Sequence, residues 1–538
     1  MSYEVVSTII LSACLLSTMV WPPFIMLVKA DSKTIYVDAC NVNDPYENGS
    51  AEHPFDSIQE GVDAAGSGDT IQVASGVYYE SVQIRKSSIS LVGEKGNTII
   101  DGNGTRIGIR VFQFSPAYTE YVSISGFIVR NGVKGITLSR SRYIRLRDNS
   151  MIGNMYNFGD YTLQIHDIDT SNTVDGKPIY YWVNQHDKQG PADAGYVALV
   201  DSTNIIVKDL NLTNNVQGLL LKNTTGSLIE NVYVSNNWDG ICLDRWSNNN
   251  TIIHNTVSSN LFMGIYLSTS SGNMVANNTV LNNEYGLLFD SRVWIHVEDS
   301  VLNSNVVRDN IVRDNTVSNN NFGAYLIESE ANFFYHNNFV NNTCQVRSVD
   351  STSKWDYGAE GNYWSDYKGE DLNNDGVGDA PYVIDEDNQD NHPLIGLFSD
   401  FCVTWQEETY HVSTISNSTV SDFRFSQPDK MISFNVSSPD GTSGFCRVTI
   451  PNMVLGGPYT LVLDGLPPVN LTERSNGTHC FLYFTYDHNI RSVKIEGASV
   501  IPEFSSLLLM FFLASVTVIV TLVVLAKRKR LIGKNRFW

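Results

Sequence analysis

The feature that most constrains this chain is a repeat with a period of about 22 residues. From position 214 to position 342, an Asn, a short spacer, a Gly and a run of apolar residues recur together. The Asn column consists of Asn215, Asn237, Asn260, Asn283, Asn320 and Asn342, so the spacings are 22, 23, 23, 37 and 22 residues. A period of this size indicates one structural unit that is copied and stacked.

Each repeat contains short runs in which apolar and polar residues alternate, as in residues 205–212. Alternation is typical of strands, and a repeat of this length has no room for a helix of about ten residues as well. Short strands that stack about 4.8 Å apart, joined by Asn or Gly bends, make a parallel β-helix. We therefore predict an all-β fold, a right-handed parallel β-helix, whose Asn column adopts the left-handed conformation and forms a ladder of side-chain amides.

Three groups of motifs carry a family resemblance. They are residues 54–65 with 68–73 and 99–102, the Asn/Gly repeat itself, and residues 361–367 with 373–379 and 390–394. Together they resemble the NosD-like right-handed β-helix repeats of archaeal and bacterial surface proteins, a type shared by carbohydrate-binding proteins and sugar hydrolases. The resemblance covers roughly residues 34–396, and it implies the fold more strongly than the chemistry, because one scaffold hosts many activities.

The charge balance favours a protein that works outside the cell. The chain has 36 basic and 57 acidic residues, a net charge of −21. A field of that sign disfavours nucleic acid as a partner and suits solubility or divalent cations.

Both ends carry membrane signals. Residues 5–28 are strongly apolar, which predicts a signal peptide over residues 1–30, or an uncleaved anchor because no Lys or Arg precedes the apolar run. Residues 505–526 carry no charge and four basic residues follow, which predicts a transmembrane helix and a cytoplasmic tail over 527–538. The sequence from Pro502 onward also resembles archaeal sorting signals, in which a lipid replaces the helix. Either reading places the bulk of the chain on the extracellular face of the membrane.

The remaining boundaries follow from changes in pattern. The N-terminal cap and first coils span residues 31–130, and the regular coils span 131–350, with insertions near 156–195 and 290–305. A closing segment (351–400), a small β-sandwich (401–497) and a linker (498–504) follow. Ser57 and Glu60 have the spacing of a capping box, which predicts a short capping helix over 57–65. Asp175 and Gly176 predict a β-hairpin in the first insertion.

The cysteines show no C-x-x-C motif and no Cys/His cluster, so the sequence indicates neither zinc nor a redox motif. Cys446 and Cys480 fall in predicted neighbouring strands, which favours a disulfide, with Cys402 as a competing partner. Sequons outside the repeat predict a glycosylated surface domain; they begin at Asn417, Asn435, Asn470 and Asn476.

Candidate catalytic groups are present but form no signature. Polysaccharide hydrolysis needs paired carboxylates, and a lyase needs calcium with a basic residue. Acidic and basic side chains of this kind occur at Asp239, Asp244, Arg245, His166, Asp167, Asp169, His186 and Asp187. A solvated acidic face explains the same residues.

A column of aromatic residues is the predicted ligand-binding strip. Aromatic residues recur just before the Gly in successive coils, at Trp238, Phe262, Tyr285 and Phe322. Tyr266 and Tyr325 occupy the variable position, which should face outward. Such a column either stacks on itself to stabilise the fold or offers a flat surface to sugar rings. The candidate ligand-binding residues are Trp238, Tyr266, Tyr285, Phe322 and Tyr325.

Residues 371–379 resemble the first part of an EF-hand loop. Oxygen ligands stand at its first, third, fifth and ninth positions, namely Asp371, Asn373, Asp375 and Asp379. The twelfth position is Tyr382 instead of an acidic residue, so the full EF-hand pattern fails. We predict one structural Ca²⁺ that fastens the last coil against the sandwich, with a metal-free turn as the alternative.

These observations predict a membrane-anchored surface protein that binds glycans or forms a structural part of the cell envelope. A polysaccharide lyase or glycoside hydrolase is the alternative. The family resemblance also implies copper delivery, for which the sequence lacks a Met/His/Cys cluster. The expected partners are glycans or other envelope components.

Overall fold

A computed structural model describes residues 32–162, 164–292, 306–405, 408–439, 442–468, 470–488, 491–500 and 514–525. The predicted signal peptide and cytoplasmic tail lie outside these ranges, as do residues 293–305 of the second insertion and 501–504 of the linker. Of the predicted transmembrane segment, residues 514–525 are described, and they are helical. Within the described ranges, no helix has both the length and the apolar character needed to cross a bilayer.

The chain forms two compact units, Met1–Gly176 and Lys177–Trp538. The first unit has one short helix, Ile58–Ala64. Its strands are β1 (Thr34–Val37), β2 (Thr70–Val73), β3 (Gly76–Tyr78), β4 (Val82–Ile84), β5 (Ser90–Val92), β6 (Thr98–Asp101), β7 (Ile107–Val111), β8 (Thr119–Glu120), β9 (Ser123–Ser125), β10 (Phe127–Arg130), β11 (Lys134–Leu138), β12 (Ser141–Arg142), β13 (Arg145–Arg147), β14 (Ser150–Ile152), β15 (Tyr156–Asp160), β16 (Asp167–Ile168) and β17 (Thr173–Val174).

Parallel pairing in the first unit stacks like residues on like. One sheet has the order β1-β2-β5-β9-β13-β16, and β4-β7-β11-β15 form another. In the first sheet, Ile71 pairs with Leu91, Leu91 with Ile124, and Ile124 with Leu146. All four side chains are fully buried. The alternation in sequence therefore places one apolar column inside the coils, as predicted.

The capping helix is present, but the Ser57 half of the predicted capping box does not form. Ser57 is the N-cap residue and makes no side-chain capping bond. The carboxylate of Glu80 instead accepts the backbone N–H groups of Ile58 and Gln59 at 2.8 and 2.9 Å. A carboxylate suits the positive end of a helix, so Glu80, which lies between β3 and β4, takes the capping role predicted for Ser57.

The β-helix coils of the second unit end at a short antiparallel pair. The strands are β18 (Lys177–Val183), β19 (His186–Gln189), β20 (Tyr196–Val200), β21 (Thr203–Lys208), β22 (Asn211–Thr213), β23 (Gln217–Lys222), β24 (Leu228–Glu230), β25 (Tyr233–Ser235), β26 (Asp239–Asp244), β27 (Thr251–Ile253), β28 (Thr256–Ser258), β29 (Met263–Ser268), β30 (Met274–Ala276), β31 (Thr279–Leu281), β32 (Tyr285–Asp290), β33 (Ile311–Arg313), β34 (Thr316–Ser318), β35 (Phe322–Ile327), β36 (Glu330–Tyr335), β37 (Asn338–Val340), β38 (Cys344–Val349), β39 (Thr352–Lys354), β40 (Tyr363–Trp364), β41 (Tyr382–Val383) and β42 (Gln389–Asp390).

Three parallel sheets run along these coils, and each coil contributes one strand to each sheet. They are β18-β20-β23-β26-β29-β32-β35-β38, β19-β21-β24-β27-β30-β33-β36-β39 and β22-β25-β28-β31-β34-β37-β40. Residues on either side of the variable position, such as Ile241, Ile265 and Leu287, pair in register and are fully buried. This arrangement confirms the all-β, parallel β-helix prediction.

The Asp-Gly turn of the first insertion forms, with positive φ at Asp175 and Gly176. Strand β17 before it pairs in parallel with β14, and β18 after it pairs in parallel with β20. Both flanks of the predicted hairpin are therefore built into parallel sheets of coil strands.

The predicted Asn ladder is present. The amide of Asn237 donates to Asn260 Oδ1 at 3.1 Å, and the same bond recurs from Asn260 to Asn283 and onward to Asn320. Two further ladders, not predicted, run through Asn250, Asn273, Asn310 and Asn332 and through Asn255, Asn278, Asn315, Asn337 and Asn362. The stacked, buried amides form hydrogen bonds with one another and with the backbone carbonyl groups at the bends.

The prediction that the ladder Asn residues adopt the left-handed conformation is wrong. Positive φ occurs at the residue just before each of them, for example 54° at Asn236 before Asn237 and 57° at Asn282 before Asn283. The left-handed residue turns the chain, and this turn points the next side chain into the ladder.

The third ladder ends at the closing segment. Asp390 Oδ2 accepts the Asn362 N–H at 2.7 Å and the Trp364 indole N–H at 2.9 Å. Burial raises the pKa of Asp390 to about 6, against the opposing effect of these donors. The motifs at 361–367 and 390–394 therefore serve to terminate the coils.

The chain then forms the predicted β-sandwich. Its strands are β43 (Leu397–Trp405), β44 (Glu408–Ser416), β45 (Thr419–Ser426), β46 (Met431–Ser437), β47 (Ser443–Pro451), β48 (Leu455–Gly456), β49 (Thr460–Leu463), β50 (Asn470–Ser475), β51 (His479–Asp487), β52 (Ser492–Glu496) and β53 (Ser499–Val500). One antiparallel sheet has the order β43-β44-β47-β51-β50 and the other β45-β46-β52-β49.

The predicted disulfide in the sandwich is wrong. Cys446 pairs with Phe484 and Cys480 with Ile450, so the two cysteines are four residues apart along neighbouring strands. At about 3.3 Å per residue, that offset is too long for a disulfide. Cys446, Cys480 and Cys402 are free thiols.

Candidate functional site

The predicted aromatic strip is a packed stack. The ring of Tyr285 lies 5.2 Å from that of Phe322 and 5.5 Å from that of Tyr325, and both pairs are stacked. Phe262 meets Tyr285 edge-on at 5.1 Å. Tyr266 is almost covered, and burial raises its pKa well above the usual value. These rings direct much of their surface toward one another.

The strip also breaks at one step. Tyr285 pairs with Met263, and Met263 pairs with Asp239, whereas Phe262 and Trp238 stand one residue earlier in their coils. The prediction that four aromatic residues share one column is therefore wrong. Phe262 and Trp238 lie just before β29 and β26, so they stand outside the register column of Tyr285 and Phe322, although the Phe262 ring still meets Tyr285 edge-on.

The calcium-like loop is a compact turn that contacts the sandwich. The Asp371 carboxylate accepts the N–H groups of Asp375 and Gly376 at 3.1 and 2.8 Å. Arg447 donates to the Asp375 carbonyl at 3.0 Å, and Arg474 donates to the Asn373 carbonyl at 2.6 Å. These arginines make the contact between the last coil and the sandwich that the sequence assigns to a calcium ion.

The carboxylates of the loop accept hydrogen bonds from different backbone N–H groups. Asp379 accepts the Leu372 N–H at 2.7 Å, and Asp375 accepts the Val377 N–H at 3.0 Å. In the described ranges, groups of three or more acidic, His or Cys ligands within 4.8 Å of one another occur elsewhere. Calcium at Asp371, Asn373, Asp375 and Asp379 stays a prediction.

Two of the catalytic candidates, Asp167 and Asp244, lie in contrasting environments. Asp167 binds Arg147 and Arg145 at 2.5 and 2.9 Å, and these bonds, that of Arg147 above all, lower its pKa. Burial raises the pKa of Asp244, whose strand partner is Lys222. A retaining or inverting hydrolase needs a protonated and an ionised carboxyl facing one substrate.

The first unit carries an exposed pair of tyrosines that the sequence analysis did not select. The rings of Tyr121 and Tyr143 stack at 5.1 Å with an angle of 16° between them. Their exposed fractions are 58% and 46%, and their φ angles are 55° and 57°. Backbone bonds from Tyr121 to the Arg142 carbonyl and from Tyr143 to the Ile165 carbonyl fix the two residues in successive coils. A bulky side chain in the left-handed region is uncommon and costs free energy.

A groove of about 450 Å³ lies beside this pair, and residues 121–123, 143, 145 and 165–167 line it. Arg145 and Asp167 give it a donor and an acceptor side by side. Arg142 beside the groove is held by Glu120, which raises the pKa of the guanidinium. The groove therefore combines two flat apolar faces with charged hydrogen-bonding groups, as small-ligand sites do.

A signal for the pair does exist in the sequence. Tyr121 and Tyr143 are 143 − 121 = 22 residues apart, which is the period of the repeat, and a branched apolar residue follows each. The Asn/Gly repeat is most regular over residues 214–342, which lie C-terminal to this pair.

A second cluster also escaped the sequence analysis. Asp400, Cys402 and His411 place ligand atoms within 4.8 Å of one another on the sandwich. The sequence shows no Cys/His motif here, because the two residues come from different strands. Antiparallel pairing of β43 with β44 joins positions that are nine residues apart in sequence.

Comparison with known proteins identifies the repeats. Residues 171–369 match the family described as periplasmic copper-binding protein (NosD). A probable ABC transporter binding protein NosD from Stutzerimonas stutzeri is 46% identical over 71 residues, which cover 13% of this chain and 16% of that protein. The corresponding protein of Pseudomonas aeruginosa is 42% identical over 71 residues, with the same coverage. The resemblance predicted over residues 34–396 is thus confirmed as NosD-like over 171–369.

Solved structures give weaker likenesses. The A-module of the mannuronan C-5 epimerase AlgE4 from Azotobacter vinelandii is 14% identical, with 60% of this chain and 98% of that chain covered and a TM-score of 0.24. The catalytic domain of a GH87 α-1,3-glucanase is 12% identical, with 62% and 70% covered and a TM-score of 0.27. Scores this low support no argument about function.

Proposed function

We propose that this NosD-like β-helix protein binds polysaccharide in the groove beside Tyr121 and Tyr143, without cleaving it. The observation that carries the proposal is the stacked tyrosine pair, exposed and held in left-handed backbone. Each such residue costs about 1–2 kcal/mol in backbone energy. Two exposed rings recover little of this by burial, and a ligand that covers them would offset the cost.

A sugar ring fits the chemistry of this groove. Its C–H faces pack on aromatic rings, and its hydroxyl groups need both donors and acceptors. Tyr121 and Tyr143 supply the rings, Arg145 donates and Asp167 accepts. A stack that spans two coils suits a chain of sugars more than a single small molecule.

Binding without hydrolysis is supported by the state of Asp167. Arg147 and Arg145 hold its pKa below the usual range. A general acid for glycoside cleavage needs a raised pKa. Asp167 therefore serves as a hydrogen-bond acceptor for hydroxyl groups at neutral pH.

The experiment is a binding and product assay on neutral and uronate-containing polysaccharides. We expect binding without reducing sugar or unsaturated product, and at least about tenfold weaker binding for Arg145→Gln, about 1.4 kcal/mol. Arg308→Gln is the matched control, because Arg308 is also exposed and ion-paired. If the parent protein forms product and Asp167→Asn does not, the groove is a catalytic site, and the proposal of binding without cleavage is contradicted.

The proposed location is the outer face of the cell envelope. It is supported by the apolar segments at 5–28 and 505–526, by the basic residues that follow the second, and by the periplasmic description of the NosD family. Protease added to intact cells should digest residues 31–504 and spare the 527–538 tail. Protection of the β-helix would reverse this orientation.

The aromatic strip of the second unit stays a second candidate surface. Phe262 is exposed at one end of the stack, whereas Tyr285, Phe322 and Tyr325 are half-buried. A ligand bound to this strip would contact the edges of the stacked rings instead of their faces.

A further inference from the structure

The outer face of the sandwich gathers three different metal-ligand types. Cys402 on β43 pairs directly with His411 on β44, and Asp400 stands two residues before Cys402 on the same face of its strand. This register follows from the pairing of Trp405 with Glu408 at the end of the hairpin. On the opposite face of β43, Phe401 stacks on Phe423 at 4.4 Å. That packing fixes which face carries Asp400 and Cys402.

The three ligand atoms converge on one point. His411 Nδ1 lies 2.6 Å from Asp400 Oδ2 and 4.0 Å from Cys402 Sγ. In a tetrahedral zinc site, bonds of about 2.3 Å to sulfur and about 2.0 Å to nitrogen place these two atoms about 3.5 Å apart. The cluster therefore needs side-chain shifts of less than about 1 Å to bind an ion.

We propose that Asp400, Cys402 and His411 form a binding site for one Zn²⁺-class divalent cation. Thiolate, imidazole and carboxylate are the three protein ligand types of zinc, and three such ligands leave the fourth position to water. Cys402 and His411 are exposed, so an ion reaches the site from solvent without opening the fold. The site lies in residues 400–411, outside the segment that matches the NosD family.

Two charged groups of a β-helix coil lie near the site and balance each other. Arg313 and Asp314 of a β-helix coil are near enough to act electrostatically on Asp400. Arg313 is engaged in an ion pair with Asp314, which balances its charge. A hydrogen-bonded Asp400–His411 pair without metal is the competing arrangement, and the experiment separates the two.

Cobalt titration of the purified full-length chain is the experiment. Co²⁺ replaces Zn²⁺ in such sites and reports a sulfur ligand through a near-ultraviolet charge-transfer band. We expect one Co²⁺ per chain, displaced by Zn²⁺, with that band present. Cys402→Ser should remove the band and weaken binding at least tenfold, since loss of an outer-shell partner alone typically costs about 10–100-fold.

Matched variants control for exposure. Cys40→Ser removes another exposed thiol, and His479→Gln alters another His of the sandwich; both should leave the spectrum and stoichiometry unchanged. His411→Gln should weaken binding as Cys402→Ser does. A charge-transfer band that survives in Cys402→Ser, or binding equal in all four variants, would overturn the site. Binding to glycans is measured separately and does not depend on it.

Discussion

The bend before a coil strand is built with Gly, Asn or Asp at several coils of the second unit and with Tyr at two coils of the first. In the second unit, the residue two before strands β24, β27, β30 and β33 has positive φ and is small or an Asn/Asp type; it is Gly226, Asn249, Gly272 or Asp309. In the first unit, the residue two before β9 and β13 has the same positive φ but is Tyr121 or Tyr143. Gly, Asn and Asp occupy this conformation at low cost, and Tyr does not. Under the proposed function, the difference separates a scaffold bend from a bend that carries a ligand-binding side chain.

Removing a ladder amide beside a scaffold bend should have the largest effect. Asn250 accepts the Ser227 N–H at 2.9 Å and donates to the Thr224 carbonyl at 2.8 Å and to Asn273 at 3.2 Å. Asn250→Ala orphans these buried groups, and we expect it to reduce the free energy of unfolding by about 3 kcal/mol. Denaturant melts check this value. Asn249→Gly, one residue earlier, should change stability by a few tenths of a kcal/mol; equal losses would show that the ladder is not the stabilising element.

Calcium tests a third kind of left-handed bend, the loop with positive φ at Asn374 and Gly376. If the loop binds Ca²⁺, a hundredfold excess over Kd should stabilise the fold by about 2.7 kcal/mol. The melting temperature should therefore rise with calcium and fall with EGTA, and Asp375→Ala should erase the difference. Asp387→Ala, an exposed acidic neighbour, should keep it. Identical melting in calcium and chelator would leave Arg447 and Arg474 as the fastening of the loop.

A side chain placed at a scaffold glycine should be costly. Gly226 has φ of +65°, and a Cβ there would lie 2.5 Å from Asn204 Oδ1. We expect Gly226→Ala to cost about 1–2 kcal/mol in thermal or chemical melts. Gly104→Ala separates backbone strain from contact, because Gly104 has φ of +77° with nothing within 4 Å. We expect Gly104→Ala to lower the free energy of unfolding less than Gly226→Ala does. A larger loss at Gly104 would contradict the role assigned to the contact with Asn204.

The opposite change at the tyrosine bend should have the smallest effect on stability. Tyr143→Gly relieves about 1–2 kcal/mol of left-handed strain and loses a ring stack worth about 0.5–1.5 kcal/mol. The free energy of unfolding should stay within about 1 kcal/mol of the parent value. Equilibrium melts provide the measurement. A large loss would mean that Tyr143 is a structural residue, and the contrast between the two units would disappear.

The sequence was sufficient for features that repeat along the chain. The period predicted the parallel coils and the ladder through Asn237, Asn260 and Asn283, because stacked copies must pair like with like. Composition and alternation also predicted the sandwich. Its boundary differs by four residues from the observed start at Leu397.

What the sequence did not predict depends on register between distant residues. Glu80 caps the helix N-terminus in place of Ser57 because the segment between β3 and β4 brings its carboxylate there. Cys402 meets His411 through a hairpin register, and the same kind of register separates Cys446 from Cys480. The period of the repeat does not reveal that Trp238 is offset by one residue from the column of Tyr285. It also does not show which outward-facing aromatic residues remain exposed to solvent.

Polysaccharide binding by the double variant Tyr121→Gly/Tyr143→Gly tests the central claim most directly. Affinity electrophoresis of the full chain against the polysaccharides it binds should show at least about tenfold weaker binding, with an unchanged far-UV CD spectrum. Tyr79→Ala, which removes another exposed tyrosine of the first unit, and Tyr285→Ala, in the packed strip, should bind as the parent does. Full binding by the double variant, or its loss in Tyr285→Ala alone, would contradict the assignment of the tyrosine groove as the binding site.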